Sequence, residues 1–321
     1  MEAPESSKIA KSLGKVVELA LAPRNRWSKQ HADEAKRDKV LREQWDEIKP
    51  FWTPWFRGHE EVGWQLKTTL YRGNDLEVDR LFTFEEELRG EFKRRGSQLA
   101  AELSLPAYDD EWGWYGLMRH YGAPTRLLDW SDGVLTALYF AVRDTQKEDR
   151  AKQREDKAKK GSKTAPGACV WMLDPYRLDV LSFCPKDDAL GVALPDWEPA
   201  EKYLPEIFAG RKLRRAKPSA VDPPHVFRRL SSQRSHFTVF GTHPDGLEEL
   251  RRKSGYLLEK ITIPADAVPA IRIELELSGI SEATILPDLE ALSRELEAVW
   301  KVYFGARLPR VRLQANQSKS K

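Results

Sequence analysis

Arg119-His120-Tyr121-Gly122-Ala123-Pro124-Thr125-Arg126-Leu127-Leu128-Asp129-Trp130-Ser131 gathers two arginines, a histidine, a threonine and an aspartate around a Gly-x-Pro turn. The apolar run that follows, Val134-Leu135-Thr136-Ala137-Leu138-Tyr139-Phe140-Ala141-Val142, reads as a packed helix. The turn therefore delivers polar groups to the start of a buried element. Nowhere else does the chain concentrate chemistry-bearing side chains so densely.

Working outward, Leu88, Phe92, Leu99 and Leu103 recur at helical spacing over Phe84 to Leu103, while Trp64, Leu66, Thr68 and Leu70 alternate and predict a strand up to Tyr71. Further upstream, Ile9, Leu13, Val16, Val17 and Ala20 share one helical face, and Pro23 predicts the end of that helix. A second, charged helix is expected over about Gln30 to Ile48, its Glu34, Lys36, Arg37, Asp38 and Lys39 facing water. Downstream, Ala168 to Leu173 reads as a buried strand closed by Asp174-Pro175, and strands are also predicted at His236–Phe240, Tyr256–Ile263 and Ala270–Leu275. Leu289, Leu292, Leu296 and Trp300 form a last helix stripe, with Asp288 as its N-cap.

The 321 residues are 40% hydrophobic, with 11 Trp, enough to build a core. Charged residues make up 32% but nearly cancel to a net +3, so overall charge does not mark a nucleic-acid partner. Local basic patches are left open. The segment from Arg211 to Arg229 reads either as a solvated loop or as a phosphate contact. Cys169 and Cys184 lack metal-site or Cys-x-x-Cys spacing and read as free thiols; the scattered histidines assign no metal. With no secretory leader and no membrane-length apolar run, a cytoplasmic protein is expected. Arg143 to Gly167 carries almost no large apolar side chain and reads as a mobile insertion; its Gly161-Ser162-Lys163-Thr164 lacks the upstream glycine and strand of a P-loop.

Phe56-Arg57-Gly58, then Trp64-x-Leu66 and Leu70-Tyr71-Arg72, resemble the opening signature of the FRG domain family, named for that tripeptide. The turn motif through Asp129-Trp130 resembles the same family's central motif. Gln233 through Phe237-Thr238, and Gly279-Ile280 followed by Pro287-Asp288-Leu289, fit in order, so the resemblance spans Trp55 to about Leu296. The arrangement is more distantly similar to the ADP-ribosyltransferase fold, with an early strand arginine, a polar motif on a second strand and a late Gln or Glu on a third.

This resemblance implies an α+β architecture: a single mixed domain at 51–310 with a central, mostly antiparallel split sheet flanked by helices. The charged flexible insertion then falls at about 143–167, with an N-terminal helical extension at 1–50 and a disordered tail at 311–321. It also implies NAD as substrate. Such a ligand wants a forked guanidinium for its pyrophosphate, hydroxyl or amide groups for its ribose and an aromatic face for its ring. Arg57, Gly58, Tyr121, Thr125 and Arg126 are the candidate cofactor-binding residues, and Asp129, Gln233 and His120 the candidate catalytic ones. Arg126 and Asp129 equally suit a structural ion pair that pins the turn. Gln233 stands where the transferase pattern has Glu, leaving Asp129 as the alternative carboxylate.

The leading expectation is ADP-ribosyl transfer from NAD to a protein or nucleic-acid target, with NAD hydrolysis as a related activity; by analogy the setting would be a bacterial toxin or anti-phage effector. A non-catalytic nucleotide or nucleic-acid binding module is the alternative. A protein-interaction scaffold whose N-terminal helices dock a partner is the third.

Overall fold

The computed structural model describes residues 8–73, 77–99, 105–143, 167–183, 198–210, 214–222, 235–254 and 256–305. Six strands form one sheet: β1 Trp55–His59, β2 Leu127–Ser131, β3 Ala168–Leu173, β4 Ser219–Val221, β5 Ser235–Val239 and β6 Leu258–Ile263. Their order is β4-β5-β2-β1-β3-β6, and every neighbouring pair is antiparallel. The mixed helical and antiparallel architecture expected from the sequence is therefore present.

The sheet is uneven. β1 pairs with β3 over five register positions but meets β2 at one, Phe56 opposite Ser131. The two central strands diverge beyond that pair, and backbone groups left without a ladder partner must be satisfied otherwise.

β3 shows why both faces are covered. Cys169, Trp171 and Leu173 face one core, whereas Ala168, Val170 and Met172 face another. The second core is closed by α1 (Leu13–Ala35) and α5 (Val134–Val142). The first is closed by α3 (Val78–Leu99) and α4 (Glu111–His120). Burial pushes the Cys169 thiol up to about 12, which keeps it protonated and unreactive. Cys184 lies outside the described residues, as do the Gly161-Ser162-Lys163-Thr164 segment and the 311–321 tail.

Several elements depart from the sequence reading. α1 does not stop at Pro23 but continues to Ala35. An interior proline costs a helix about 3 kcal/mol. Here it lies in a continuous buried stripe, Val16, Ala20, Pro23, Trp27, His31 and Ala35, whose burial offsets that cost. The expected second helix is two segments: a break follows Ala35, and Asp38 restarts the chain as N-cap of α2 (Lys39–Ile48), accepting from Leu41 N at 3.1 Å.

Trp64 to Tyr71 is not a strand. Leu66, Thr68 and Leu70 are buried as their alternation requires, but their backbone is served elsewhere: Leu66 N donates to Glu248 Oε1 and Leu70 N to Thr125 O. Only Thr69–Tyr71 is regular, a single 3-10 turn.

Ala270–Leu275 falls within a helix, Val268–Leu277. Ile271 and Leu275 are buried four apart, and Pro269 in the first turn favours the helical start. Asp288 does cap the last helix, Leu289–Gly305, accepting from Ala291 N at 2.7 Å. No helix among the described residues is long and apolar enough to cross a membrane.

Candidate functional site

The turn at the heart of the sequence is the C-terminal end of α4. Tyr121 caps the helix, Gly122 takes the left-handed conformation at φ +78°, and Ala123 N returns to Met118 O at 2.9 Å. This 6→1 closure, with Gly122 N to Arg119 O, is a Schellman motif, and Pro124 prevents the helix from resuming. The closure aims Arg119 and His120 across the end of β2.

Where β1 and β2 diverge, a cavity of about 440 Å³ opens, lined by Arg57, Gly58, His59 and Glu60 from the first strand's end and by Asp129, Trp130 and Ser131 from the second. Arg72, Arg119, His120, Phe140 and Arg143 complete much of its wall, with Ser235 and Leu286 arriving from later in the chain.

Its electrostatic centre is a triad. Arg119 holds Asp129 in a fork, Nε at 3.0 Å from Oδ1 and Nη2 at 2.5 Å from Oδ2. Arg57 Nη1 donates to the backbone carbonyl of Asp129 at 2.7 Å and approaches its Oδ2 at 3.5 Å. The Arg57 side chain thus serves a carbonyl where the strands part. Burial opposes the charge on Asp129, but Arg119 and then Arg57 outweigh it and hold the carboxyl below its ordinary value.

The positive charge is in excess: four guanidinium groups face the carboxylates of Asp129 and Glu60. Burial, aided by repulsion from Arg119 and Arg72, pulls Arg57 down to about 10 despite Asp129. Arg72 is likewise lowered, first by burial and then by Arg119. An anion entering the cleft would relieve this repulsion, whereas a cation would meet it.

His59 sits behind Arg57. Its Nε2 accepts from Arg57 Nε at 3.0 Å, which places the ring proton on Nδ1. Burial, then the neighbouring Arg57 charge, pulls this histidine down to about 3, so it stays neutral as an acceptor. Between its ordinary value of 6.5 and about 3, the unfolded chain takes up a proton that the folded chain refuses. The stabilisation is whole above pH 6.5 and declines as pH falls toward 3, by about 1.4 kcal/mol per pH unit. Urea unfolding of wild type and His59→Gln over this range should show that extra slope in wild type alone; parallel curves would refute it.

Of the residues expected at the site, Arg57, Gly58, His120 and Asp129 come together around the cleft. Three others do not line it, which corrects the expectation. Tyr121 is 58% exposed and packs edge-on against the His120 ring, outside the cleft lining. Thr125 is fully buried, its Oγ1 accepting from Leu127 N. Arg126 is also fully buried, its fork taken by Glu85, Phe240 O and Tyr203 O. It is the structural ion pair, with Glu85 rather than Asp129 as its partner. Gln233 lies outside the described residues.

Glu60 was not singled out in the sequence; Arg72 and Arg119 stood only within quoted motifs and Arg143 only as the start of the charged insertion, none with a role at the site. The alternation of a strand puts Arg57 and His59 on one side, a signal that was available. In the basic segment, Arg214 bonds Phe208 O and Ala209 O and pairs with Asp79, while Arg215 lies 4.7 Å over Phe183. These described cations brace the protein itself; Arg211 and Arg229 lie outside the described residues.

This is a mixed helix-and-sheet protein, its sheet antiparallel throughout, with a cationic cleft at the seam of its central strands. Residues 53–150 match the family model of the FRG domain. That segment supplies all four guanidinium groups of the cleft and both facing carboxylates. No curated protein and no solved structure matches the chain.

Proposed function

We propose that this protein binds a phosphate-bearing nucleotide in the cleft between β1 and β2, with the diphosphate of NAD as the ligand group of best fit. The observation that carries this reading is the surplus of guanidinium groups on one cavity, with Arg57 and Arg119 held by a shared carboxylate. Planar forks so held lose little freedom on meeting phosphate, and such charge-assisted bonds are stronger than neutral ones. The cavity, about 440 Å³, falls in the range of ~300–1,000 Å³ usual for small-molecule sites.

Binding is better supported than chemistry. Breaking the nicotinamide bond develops positive charge on the ribose carbon, which a carboxylate would stabilise. Asp129 is ionised, but two guanidinium groups already answer its charge. ADP-ribosyl transfer therefore rests on the distant transferase resemblance, with Asp129 as the candidate carboxylate.

Calorimetry with NAD, ADP-ribose and pyrophosphate tests the binding reading. Arg57→Gln, confirmed folded by circular dichroism, should weaken all three roughly tenfold to hundredfold, as expected for losing a charged hydrogen bond worth ~1.5–3 kcal/mol. Absence of binding to wild type at millimolar ligand would overturn it. Incubation with labelled NAD and cell lysate, against Asp129→Ala, reads out transfer separately.

A further inference from the structure

The basic segment around Arg214 leads into β4 at the end of the sheet away from the cleft. Ser219, the first residue of β4, is level with Val239 and Leu127, whereas the cleft lies at Asp129 to Ser131 and Ser235. Here another cavity of about 440 Å³ opens, with Lys202, Arg214, Arg215 and Lys217 in its lining beside Ser182 and Tyr203.

The backbone of this segment is not a solvated loop. Four successive carbonyls accept hydrogen bonds: Arg215 O from Thr242 N at 3.0 Å, Ala216 O from His243 N at 3.2 Å, Lys217 O from Tyr203 Oη at 2.8 Å and Pro218 O from Ser182 Oγ at 2.6 Å. A chain so held presents its side chains from fixed positions, and a ligand that meets them has little backbone left to order.

Its charges are unevenly answered. Arg214 is committed, pairing with Asp79 and donating to Phe208 O and Ala209 O. Arg215 is braced by its face, 4.7 Å from the Phe183 ring centroid, and the N–H edge of its guanidinium donates to no described group. Lys217 is exposed, and its Nζ donates to a neutral partner, Leu181 O, at 2.5 Å. Neither Arg215 nor Lys217 has a carboxylate partner among the described residues, and the cavity lining holds no carboxylate. Two like charges set two residues apart on a fixed backbone repel one another and attract an anion.

We propose that this cavity is a phosphate-binding site separate from the nucleotide cleft, and that it takes the backbone of a single-stranded nucleic acid. Phosphate follows from the donors, a guanidinium edge beside an ammonium. A strand follows from their exposure. Solvent-screened contacts of this kind are individually weak, so a lone phosphate gains little from them. A strand brings several phosphates to the same cations at once and gains further from the counterions it releases. The lining has no carboxylate or carboxamide to read a base edge, so binding is indifferent to sequence. This site stands or falls independently of the nucleotide reading of the cleft.

Fluorescence anisotropy of the full chain with labelled single-stranded RNA and DNA, about 20 nucleotides long, over ~50 to ~200 mM salt tests the proposal. Arg215→Gln with Lys217→Gln removes two phosphate contacts and should flatten the plot of log affinity against log salt by roughly 1.4, at ~0.7 per contact for a single strand. At the lowest salt the affinity should fall roughly tenfold or more. The charge-preserving pair Arg215→Lys with Lys217→Arg should restore most of both. Lys11→Gln with Lys15→Gln removes the same charge beside Ile9, which bridges β6 at the opposite edge of the sheet, and should leave the slope unchanged. If neither strand binds wild type at the lowest salt, or if the Lys11 and Lys15 pair loses as much slope, the site is wrong. Pyrophosphate affinity should be the same in wild type and in the Arg215 and Lys217 glutamine pair; a loss there would make a small anion the ligand and overturn the strand. Because the segment is held by its carbonyls, that pair should melt near wild type, and a large drop would assign Arg215 and Lys217 to the fold and overturn the proposal.

Discussion

Replacing Arg126 with Met should cost about 3–5 kcal/mol of stability, the range found when one partner of a buried ion pair is removed and the other keeps its charge. Arg126 and Glu85 are both fully buried, with Nε 2.6 Å from Oε2. Burial works against the Arg126 charge, and Glu85 more than restores it, raising the guanidinium above its ordinary value. The remaining donors reach Phe240 O at 2.9 Å and Tyr203 O at 2.5 Å, and the guanidinium lies 3.9 Å from the Phe208 ring centroid. Methionine preserves most of the bulk but strands a carboxylate and two carbonyls. Lysine should rescue little, since one ammonium on a flexible stem does not reproduce the fork. The double variant Arg126→Met with Glu85→Leu should recover part of the loss by removing the orphaned charge. Urea unfolding measures all three, and a single-variant loss below about 1 kcal/mol would contradict the assignment. Nucleotide affinity of the folded fraction should not change, because neither residue lines the cleft.

This arginine shows how much of the site was legible beforehand. The concentration of charge around Gly122 was visible, and so was the helix Val134–Val142 behind it. Arg119 and Arg126 are nevertheless interchangeable on paper: both flank the same turn, and both have an aspartate within ten residues. What sorts them is Glu85, which accepts from Tyr115 Oη and from Arg126 N. That partner lies 41 residues upstream of Arg126, on α3, and spacing carries no information about it. Arg119 is left for Asp129 because the Schellman closure swings the end of α4 toward β2.

A similar limit explains Trp64 to Tyr71. The alternation correctly marked which side chains go inside, but a strand also needs an edge to pair with, and Leu66 N and Leu70 N find Glu248 and Thr125 O first. At Ile271, Ile273 and Leu275 the alternation was accidental. Ile273 is 57% exposed, so the apparent apolar run buries only the two residues one helical turn apart. Local pattern thus fixed what each segment buries more securely than the hydrogen bonds it makes.

Gly58→Ala should be the other large loss, about 3 kcal/mol or more. Overpacked cores usually lose ~1–3 kcal/mol because neighbouring side chains can shift. Nothing here can shift cheaply. A Cβ on Gly58 would lie 2.0 Å from Ala137 O, 2.5 Å from Ala141 N and 3.0 Å from the Phe140 carbonyl carbon, all backbone of α5. To admit it the helix must lift from β1 as a unit, exposing Ala137, Leu138 and Ala141, each now buried. Gly63→Ala is the matched control, since an added Cβ there meets nothing within 4 Å. The close approach gives the glycine of Phe56-Arg57-Gly58 a role different from the ligand contact first assigned to it. Without a side chain at Gly58, α5 lies close against the strand, and its Ala137 and Phe140 line the cleft. Lifting the helix should therefore weaken nucleotide binding as well, even at temperatures where the variant is folded. A Gly58→Ala protein within about 0.5 kcal/mol of wild type in urea would show that α5 can yield, and would return Gly58 to the ligand-contact reading.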